Sequence, residues 1–279
     1  MTKDRTERLM KMLVAGRTLD EQTEYVRRYG GHGVIPILRR MLIDGLGIAH
    51  PKPTAENVVI FGCYIPFTEP MLICDYLRLL DVLGTDYSYL EKEFCCGSPL
   101  RDSAGPNERD QALRVSREFM QLNRDSALQK GAKNIVYCCS GCAHTAKSFF
   151  PAEADHHMYY FELLFDKIEQ RTLKIAPTTM GYFEGCKTRY RKQYPGAEID
   201  WKRCRNLLDR IEGLRIVDLP NNLCCSAKPE GIVQAAQQHG LDTILCSCNS
   251  CYGSLKAAAQ GKVEVKFLTE LLLEAVEAK

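Results

Sequence analysis

Short apolar runs alternate with helix-length amphipathic stretches from Asn57 to the end of the chain, the pattern expected of an α/β protein with a mostly parallel sheet. The runs at 58–61, 87–90, 134–137 and 157–159 predict four strands in a first half, and those at 180–183, 214–217, 243–245 and 263–265 predict four in a second. The two sets form an internal repeat offset by roughly 110 to 130 residues. Phe161-Glu162-Leu163-Leu164 and Thr269-Glu270-Leu271-Leu272 follow the last strand of each half and read as matching helix faces packed on the sheet. The expected fold is therefore two similar Rossmann-like α/β halves with mostly parallel sheets, related by a pseudo-twofold and preceded by an N-terminal helical segment. The expected domains are residues 1–55, 56–175 and 176–279.

The N-terminal segment contains no cysteine. Thr18 followed by Glu21 fits a capping box, and Val34, Ile37, Leu38, Met41 and Leu42 form one apolar helical face. Gly30-Gly31 divides the segment in two. It either pads the core or serves as a docking arm for a partner subunit.

Charge excludes one class of function. With 37 basic against 35 acidic side chains, the chain has no broad positive field to hold a nucleic acid. The start, Met1-Thr2-Lys3-Asp4-Arg5, leads into mixed-charge sequence, and no stretch of about 18 apolar residues appears. A soluble cytoplasmic protein without a membrane span is expected. The 45% apolar content of 279 residues is enough for one large core or two compact ones.

The chemistry lies in 14 cysteines. In a chain expected in a reducing compartment, such a number points to metal ligation before disulfides. Cys63, Cys95-Cys96 and Cys139-Ser140-Gly141-Cys142 each follow a strand of the first half, with the spacing C-x31-C-C-x42-C-x2-C. Cys186, Cys224-Cys225 and Cys248-Asn249-Ser250-Cys251 repeat the order in the second half, as C-x37-C-C-x22-C-x2-C. Thiolates at the carboxyl ends of adjacent parallel strands converge on the crevice where open α/β sheets bind ligands. A C-x-x-C turn leading into a helix puts two sulfurs on one centre, and the helix N-terminus favours their anionic form. Five thiolates exceed the four that a zinc ion or an ordinary cubane cluster takes. All-thiolate ligation nevertheless suits zinc and iron–sulfur clusters alike, which leaves zinc in one half open.

This doubled arrangement resembles the cysteine-rich CCG domain pair in the B subunit of heterodisulfide reductase. The same pair occurs in the iron–sulfur subunits of anaerobic glycerol-3-phosphate dehydrogenase and lactate oxidation systems. The resemblance covers about residues 56–279. It implies two noncubane [4Fe-4S] clusters, one on Cys63, Cys95, Cys96, Cys139 and Cys142, the other on Cys186, Cys224, Cys225, Cys248 and Cys251. It further implies an oxidoreductase that works in a complex, beside an iron–sulfur subunit of the C type and a flavoprotein subunit of the A type. A disulfide would enter between two clusters facing each other across the pseudo-twofold, and His144 or solvent would protonate the released thiols. Two departures stand out: Gly97 follows the first cysteine pair but Ser226 follows the second, and the stretch from Cys225 to Cys248 is short.

The remaining cysteines read as packing. Cys74 and Cys204 fall in helices as buried small hydrophobes, and Cys138 and Cys246 end the strands that lead into the C-x-x-C turns. Lys187, Arg189, Arg191 and Lys192 form a basic cluster beside Cys186, suited to a solvated face or to an anionic group. His144, two residues beyond Cys142, reads as an ordinary helix histidine, an outer-shell donor to cluster sulfur or a proton donor, and His156 and His157 give a similar signal. No glycine-rich nucleotide fingerprint follows a strand. Two rivals remain: a pure electron carrier linking a flavoprotein dehydrogenase to a quinone or low-potential acceptor, and a zinc-bearing structural module.

Overall fold

A computed structural model describes residues 17–31, 36–185, 198–220, 222–225 and 227–277. The predicted parallel α/β repeat is present. The first sheet contains β1 (Asn57–Ile60), β2 (Tyr87–Tyr89), β3 (Asn134–Tyr137) and β4 (His157–Tyr159), in the order β2-β1-β3-β4. The second contains β5 (Leu173–Phe183), β6 (Ile211–Asp218), β7 (Thr243–Cys246) and β8 (Glu264–Phe267), in the corresponding order β6-β5-β7-β8. Every pairing in both sheets is parallel. β1 is buried at all its positions, as expected of a central parallel strand covered on both faces.

The helices, numbered along the chain, are α1 (Leu19–Tyr29), α2 (Pro36–Gly45), α3 (Ile65–Thr68), α4 (Met71–Val82), α5 (Ser98–Ser103), α6 (Arg109–Gln129), α7 (Ser140–Phe149), α8 (Tyr160–Glu169), α9 (Trp201–Leu208), α10 (Pro229–Gln238), α11 (Asn249–Ala259) and α12 (Leu268–Glu277). The chain divides into two compact units. One contains the described residues up to Cys74 together with Asp86–Tyr160; the other contains Asp75–Thr85 and the described residues from Phe161 onward. The division falls inside α4. Among the described residues, no helix is long and apolar enough to cross a membrane.

The strand readings at 134–137 and 157–159 match β3 and β4, whereas β5 and β6 extend beyond their apolar runs. The start of β5 pairs with β6 across a register shift between Lys174 and Thr178, and a bulge of this kind erases the two-residue alternation that identifies a strand. β8 lies slightly later than its predicted run, at Glu264–Phe267.

The Thr18 capping box is formed, with the Thr18 side chain accepting from the Glu21 N–H and the Glu21 carboxylate accepting from the Thr18 N–H. α1 pads the first unit. Its Leu19 and Val26 are buried in a cluster with Cys95, Leu100, Ala112, Val115 and Phe119, against which Cys63 and Phe94 also pack. The apolar face read on α2 does not form a buried seam. Ile37, Leu38 and Met41 are more than half exposed, while Ile43 and Arg39 are buried. The helix turns Arg39 inward because it pairs with Glu93 in the interior, an interaction absent from any hydropathy pattern. Val34 lies outside the described residues.

Candidate metal centres

β1 and β3 are neighbours at the point where strand order reverses, the position at which open α/β sheets form a ligand crevice beyond their carboxyl ends. Cys63 and Cys139 lie just beyond those two ends. Cys139 is the N-cap of α7 with φ −102° and ψ 122°, and its carbonyl accepts the Ala143 N–H at 3.1 Å. Cys248 caps α11 in nearly the same way, with φ −119° and ψ 127°, its carbonyl accepting the Tyr252 N–H at 2.9 Å. The C-x-x-C turns thus repeat in backbone conformation as well as in sequence.

All five cysteines of the first motif are brought together. The Cys63 and Cys95 sulfurs are 3.5 Å apart. Cys95 contacts Cys96, Cys96 contacts Cys142, and Cys142 contacts Cys139, which completes an unbroken run of five thiols. The run has no single focus: among the described residues, no three His, Cys, Asp or Glu side chains surround a position for one metal ion. Five sulfurs strung along one crevice fit a group with several metal atoms better than a single ion. Cys96 is held well below the ordinary thiol range because it accepts from Cys142 and Cys95, with help from the Ser98 N–H and the Arg101 charge against the effect of burial. Cys95, hydrogen-bonded to Cys63 and Cys96, is pushed up, as is Cys142, hydrogen-bonded to Cys139 and Cys96. Cys96 is therefore more ready to carry negative charge than Cys95 or Cys142.

The loop around the cysteine pair is held on several sides. The Asn123 amide grips Phe94, its Oδ1 accepting the Phe94 N–H and its Nδ2 donating to the Phe94 carbonyl, both at 2.7 Å. The Cys95 N–H donates to the Gly30 carbonyl at 2.7 Å, so the N-terminal segment touches the first motif directly. Glu93, buried, accepts from the Phe61 and Gly62 N–H groups at 2.9 and 2.8 Å and from Arg39 at 2.6 Å. Burial raises its carboxyl above the usual range, opposed by Arg39 and the two N–H donors.

In the second unit, Cys225 and Cys251 are 3.3 Å apart and buried, as is Cys248, and Cys224 is half-buried. The Cys224 carbonyl accepts the Ala227 and Lys228 N–H groups at 3.1 and 2.8 Å. Tyr76 reaches the C-x-x-C turn, donating from its hydroxyl to Asn249 Oδ1 at 2.7 Å. Cys186, the basic cluster Lys187, Arg189, Arg191 and Lys192, and Ser226 lie outside the described residues.

Several functional positions carry no motif of their own. Gly62 and Gly185 immediately precede the first cysteine of each motif and adopt φ +83° and +91°. A Cβ at Gly62 would lie 3.7 Å from the Cys142 sulfur, and one at Gly185 would lie 3.1 Å from the Cys251 sulfur. Only glycine combines that conformation with an open sulfur crevice. The recurring Gly-Cys doublet is the signal that could have found them. Glu93, Arg39 and Asn123 leave none, because polar residues in loops and helices are ordinarily solvated.

Cys138, Cys204 and Cys246 are fully buried with thiols pushed up chiefly by burial, in keeping with a packing role. Cys74 departs from expectation: it is only half-buried on α4. His144 is buried in α7, while His156 is exposed. His157 is buried, with Nδ1 3.0 Å from the Tyr137 hydroxyl, and burial lowers its pKa to about 4.

The sequence around the first motif is similar to that of known proteins. Residues 58–147 match the cysteine-rich domain family CCG. That span contains every cysteine of the first motif and none of the second. The chain is 27% identical over 62% of its length to the D subunit of the dihydromethanophenazine:CoB–CoM heterodisulfide reductase of Methanosarcina mazei, spanning 43% of that protein. It is 24% identical over 76% of its length to the B subunit of the fumarate reductase (CoM/CoB) of Methanothermobacter marburgensis, spanning 44% of it. It is 21% identical over 75% of its length to the C subunit of the anaerobic glycerol-3-phosphate dehydrogenase of Escherichia coli K12, spanning 57% of it. The chain thus spans about half the length of the curated relatives it matches. These similarities link it, at family level, to heterodisulfide-reductase-like redox proteins.

Proposed function

We propose that this chain is an iron–sulfur subunit of a heterodisulfide-reductase-type complex. In this reading Cys63, Cys95, Cys96, Cys139 and Cys142 hold one noncubane [4Fe-4S] cluster, and Cys186, Cys224, Cys225, Cys248 and Cys251 hold the other. The observation that carries it is the unbroken run of five thiols in the crevice beyond β1 and β3. When bound, such a cluster supplies one-electron exchange and iron atoms able to take a substrate sulfur.

The chain's own residues prepare the crevice. Cys96 offers a ligand already biased to the thiolate, the form that binds metal. The caps at Cys139 and Cys248 put two sulfurs of each motif at a helix N-terminus, where anionic sulfur is favoured. Burial of Cys95, Cys96 and Cys142 keeps bulk water from the inner part of the run. His144, buried in α7 just past Cys142, is the candidate donor of a proton to a departing thiolate. Reduction of a disulfide consumes two electrons and two protons and releases two thiols. The electrons come from partner subunits of iron–sulfur and flavoprotein type, so the chain is active only within its complex. The setting is a cytoplasmic one.

A second reading, pure electron relay from a flavoprotein dehydrogenase to a quinone or low-potential acceptor, draws support from the similarity to part of a glycerol-3-phosphate dehydrogenase. The deciding experiment is iron, zinc and acid-labile sulfide per chain, on protein purified without oxygen. About eight iron and eight sulfide support two clusters. One or two zinc with negligible iron overturn the redox reading in favour of a structural zinc module, and zinc in one half alone confines the cluster to the other. Disulfide cleavage by the reduced complex separates the reductase from the relay.

A further inference from the structure

The loop carrying Cys95-Cys96 begins with a carboxylate that the five-cysteine pattern does not require. Glu93 and its partner Arg39 both have nearly inaccessible side chains, 6% and 9% exposed. Glu93 Oε1 accepts from Arg39 Nη2 and from the Phe61 N–H, and Oε2 accepts from the Gly62 N–H. Both oxygens act as acceptors, the pattern of an ionised carboxylate. Arg39 Nη1 donates to the Glu91 carbonyl at 2.9 Å, which anchors the guanidinium on the same loop. One side chain therefore ties together the turn that carries Cys63, the loop that carries Cys95 and Cys96, and helix α2. The internal repeat supplies a comparison. Two residues before Cys224 stands Asn222, and it is exposed.

We propose that Glu93, with Arg39 as its charge partner, is the positioning residue of the first sulfur centre: it locks the Cys63 turn against the Cys95-Cys96 loop and sets the local charge there. The second motif has no acidic residue at the corresponding position, so the two centres respond differently to changes at this pair. The inference rests on the cluster reading above for its electrostatic part, and on the hydrogen bonds alone for its structural part.

The electrostatic sign follows from charge balance. Glu93→Gln leaves Arg39 positive and uncompensated in a buried site. A positive charge beside a centre that gains an electron favours the reduced form, so the midpoint potential of the first centre rises. Arg39→Met combined with Glu93→Gln removes both charges, and the potential returns toward the starting value.

The experiment uses the full chain purified without oxygen. Potentiometric titration monitored by paramagnetic resonance reads each centre in the unaltered protein, in E93Q and in R39M/E93Q. The expected result is a rise for the first centre in E93Q, its reversal in the double variant, and an unchanged second centre. Equal shifts in both centres, or no shift in either, overturn the electrostatic part. Amide exchange in R39M/E93A, which buries no lone charge, reads the positioning directly. Exchange at Phe61 and Gly62 is expected to quicken about tenfold or more as both N–H groups lose their acceptor, and unchanged protection overturns the structural part. Protein without iron defeats the cluster reading, while the exchange measurement still decides whether Glu93 positions the Cys63 turn.

Discussion

Replacing Gly97 by alanine puts a methyl group into the tightest approach around the first motif. Gly97 follows Cys96, has φ +76° and caps the start of α5. A Cβ at this position lies 2.0 Å from the Ser116 Oγ, 2.6 Å from its Cβ and 2.9 Å from its Cα, so turning the hydroxyl aside does not relieve the clash and the backbone of α6 must give. The left-handed conformation alone costs an L-residue about 1–2 kcal/mol, and forcing a methyl into a packed site adds about 1–3 kcal/mol. The sum is about 2–5 kcal/mol, a sizeable part of the roughly 5–15 kcal/mol that holds a domain folded. With a urea dependence of about 2 kcal/mol per molar, G97A unfolds at a midpoint roughly 1–2.5 M lower. Gly131 is the control: its φ is +78°, and nothing lies within 4 Å of its Cβ position. G131A should therefore show only the conformational cost. Urea unfolding followed by circular dichroism compares the two. A G97A protein within about 0.5 kcal/mol of G131A would refute the argument that α6 excludes a side chain at this turn.

Other consequences follow from the same geometry. Asn123→Ala strips Phe94 of partners for both its N–H and its carbonyl; at about 1–3 kcal/mol for each stranded group, stability falls by about 2–6 kcal/mol, read by urea unfolding, and iron is lost from the first motif. His157 has an ordinary pKa of 6.5 and a folded value of about 4, so its contribution is fully present above pH 6.5 and is lost as pH falls from there toward 4. The linkage amounts to about 3 kcal/mol; His157→Gln flattens the pH dependence in that window, and an NMR titration placing His157 near 6.5 would sink the assignment. Cys96→Ala removes iron mainly from the first site whereas Cys74→Ala leaves iron content unchanged, and equal losses by metal analysis would overturn the ligand set.

The repeat of strands, the two C-x-x-C turns and the Thr18 cap were legible in the sequence because each depends on neighbours along the chain. Hydrophobic period, a cap three residues from its partner and a cysteine pair bracketing one helical turn are local facts. The parallel order of strands is nearly as direct, since crossover connections between short strands leave few alternatives. The five thiols of the first motif were also nominated by order alone. Their contact is a tertiary result: Cys63 and Cys95 come from different strand ends, and meet because β1 pairs with both β2 and β3.

What brings order to that meeting was not readable in advance. The Arg39–Glu93 pair, the Asn123 clamp on Phe94 and the Gly30 carbonyl that receives the Cys95 N–H join residues far apart in sequence. Arg39 sits on a helix whose apolar residues suggested the opposite face as the buried one. Patterning registers the average preference of a side chain for water, and a buried ion pair reverses that preference only once its partner is in place. Local order along the chain is enough to set which elements form and which thiols gather. The choice of polar groups that hold the gathered thiols in register belongs to the folded molecule, because a hydrogen bond is made only when distant segments have already met.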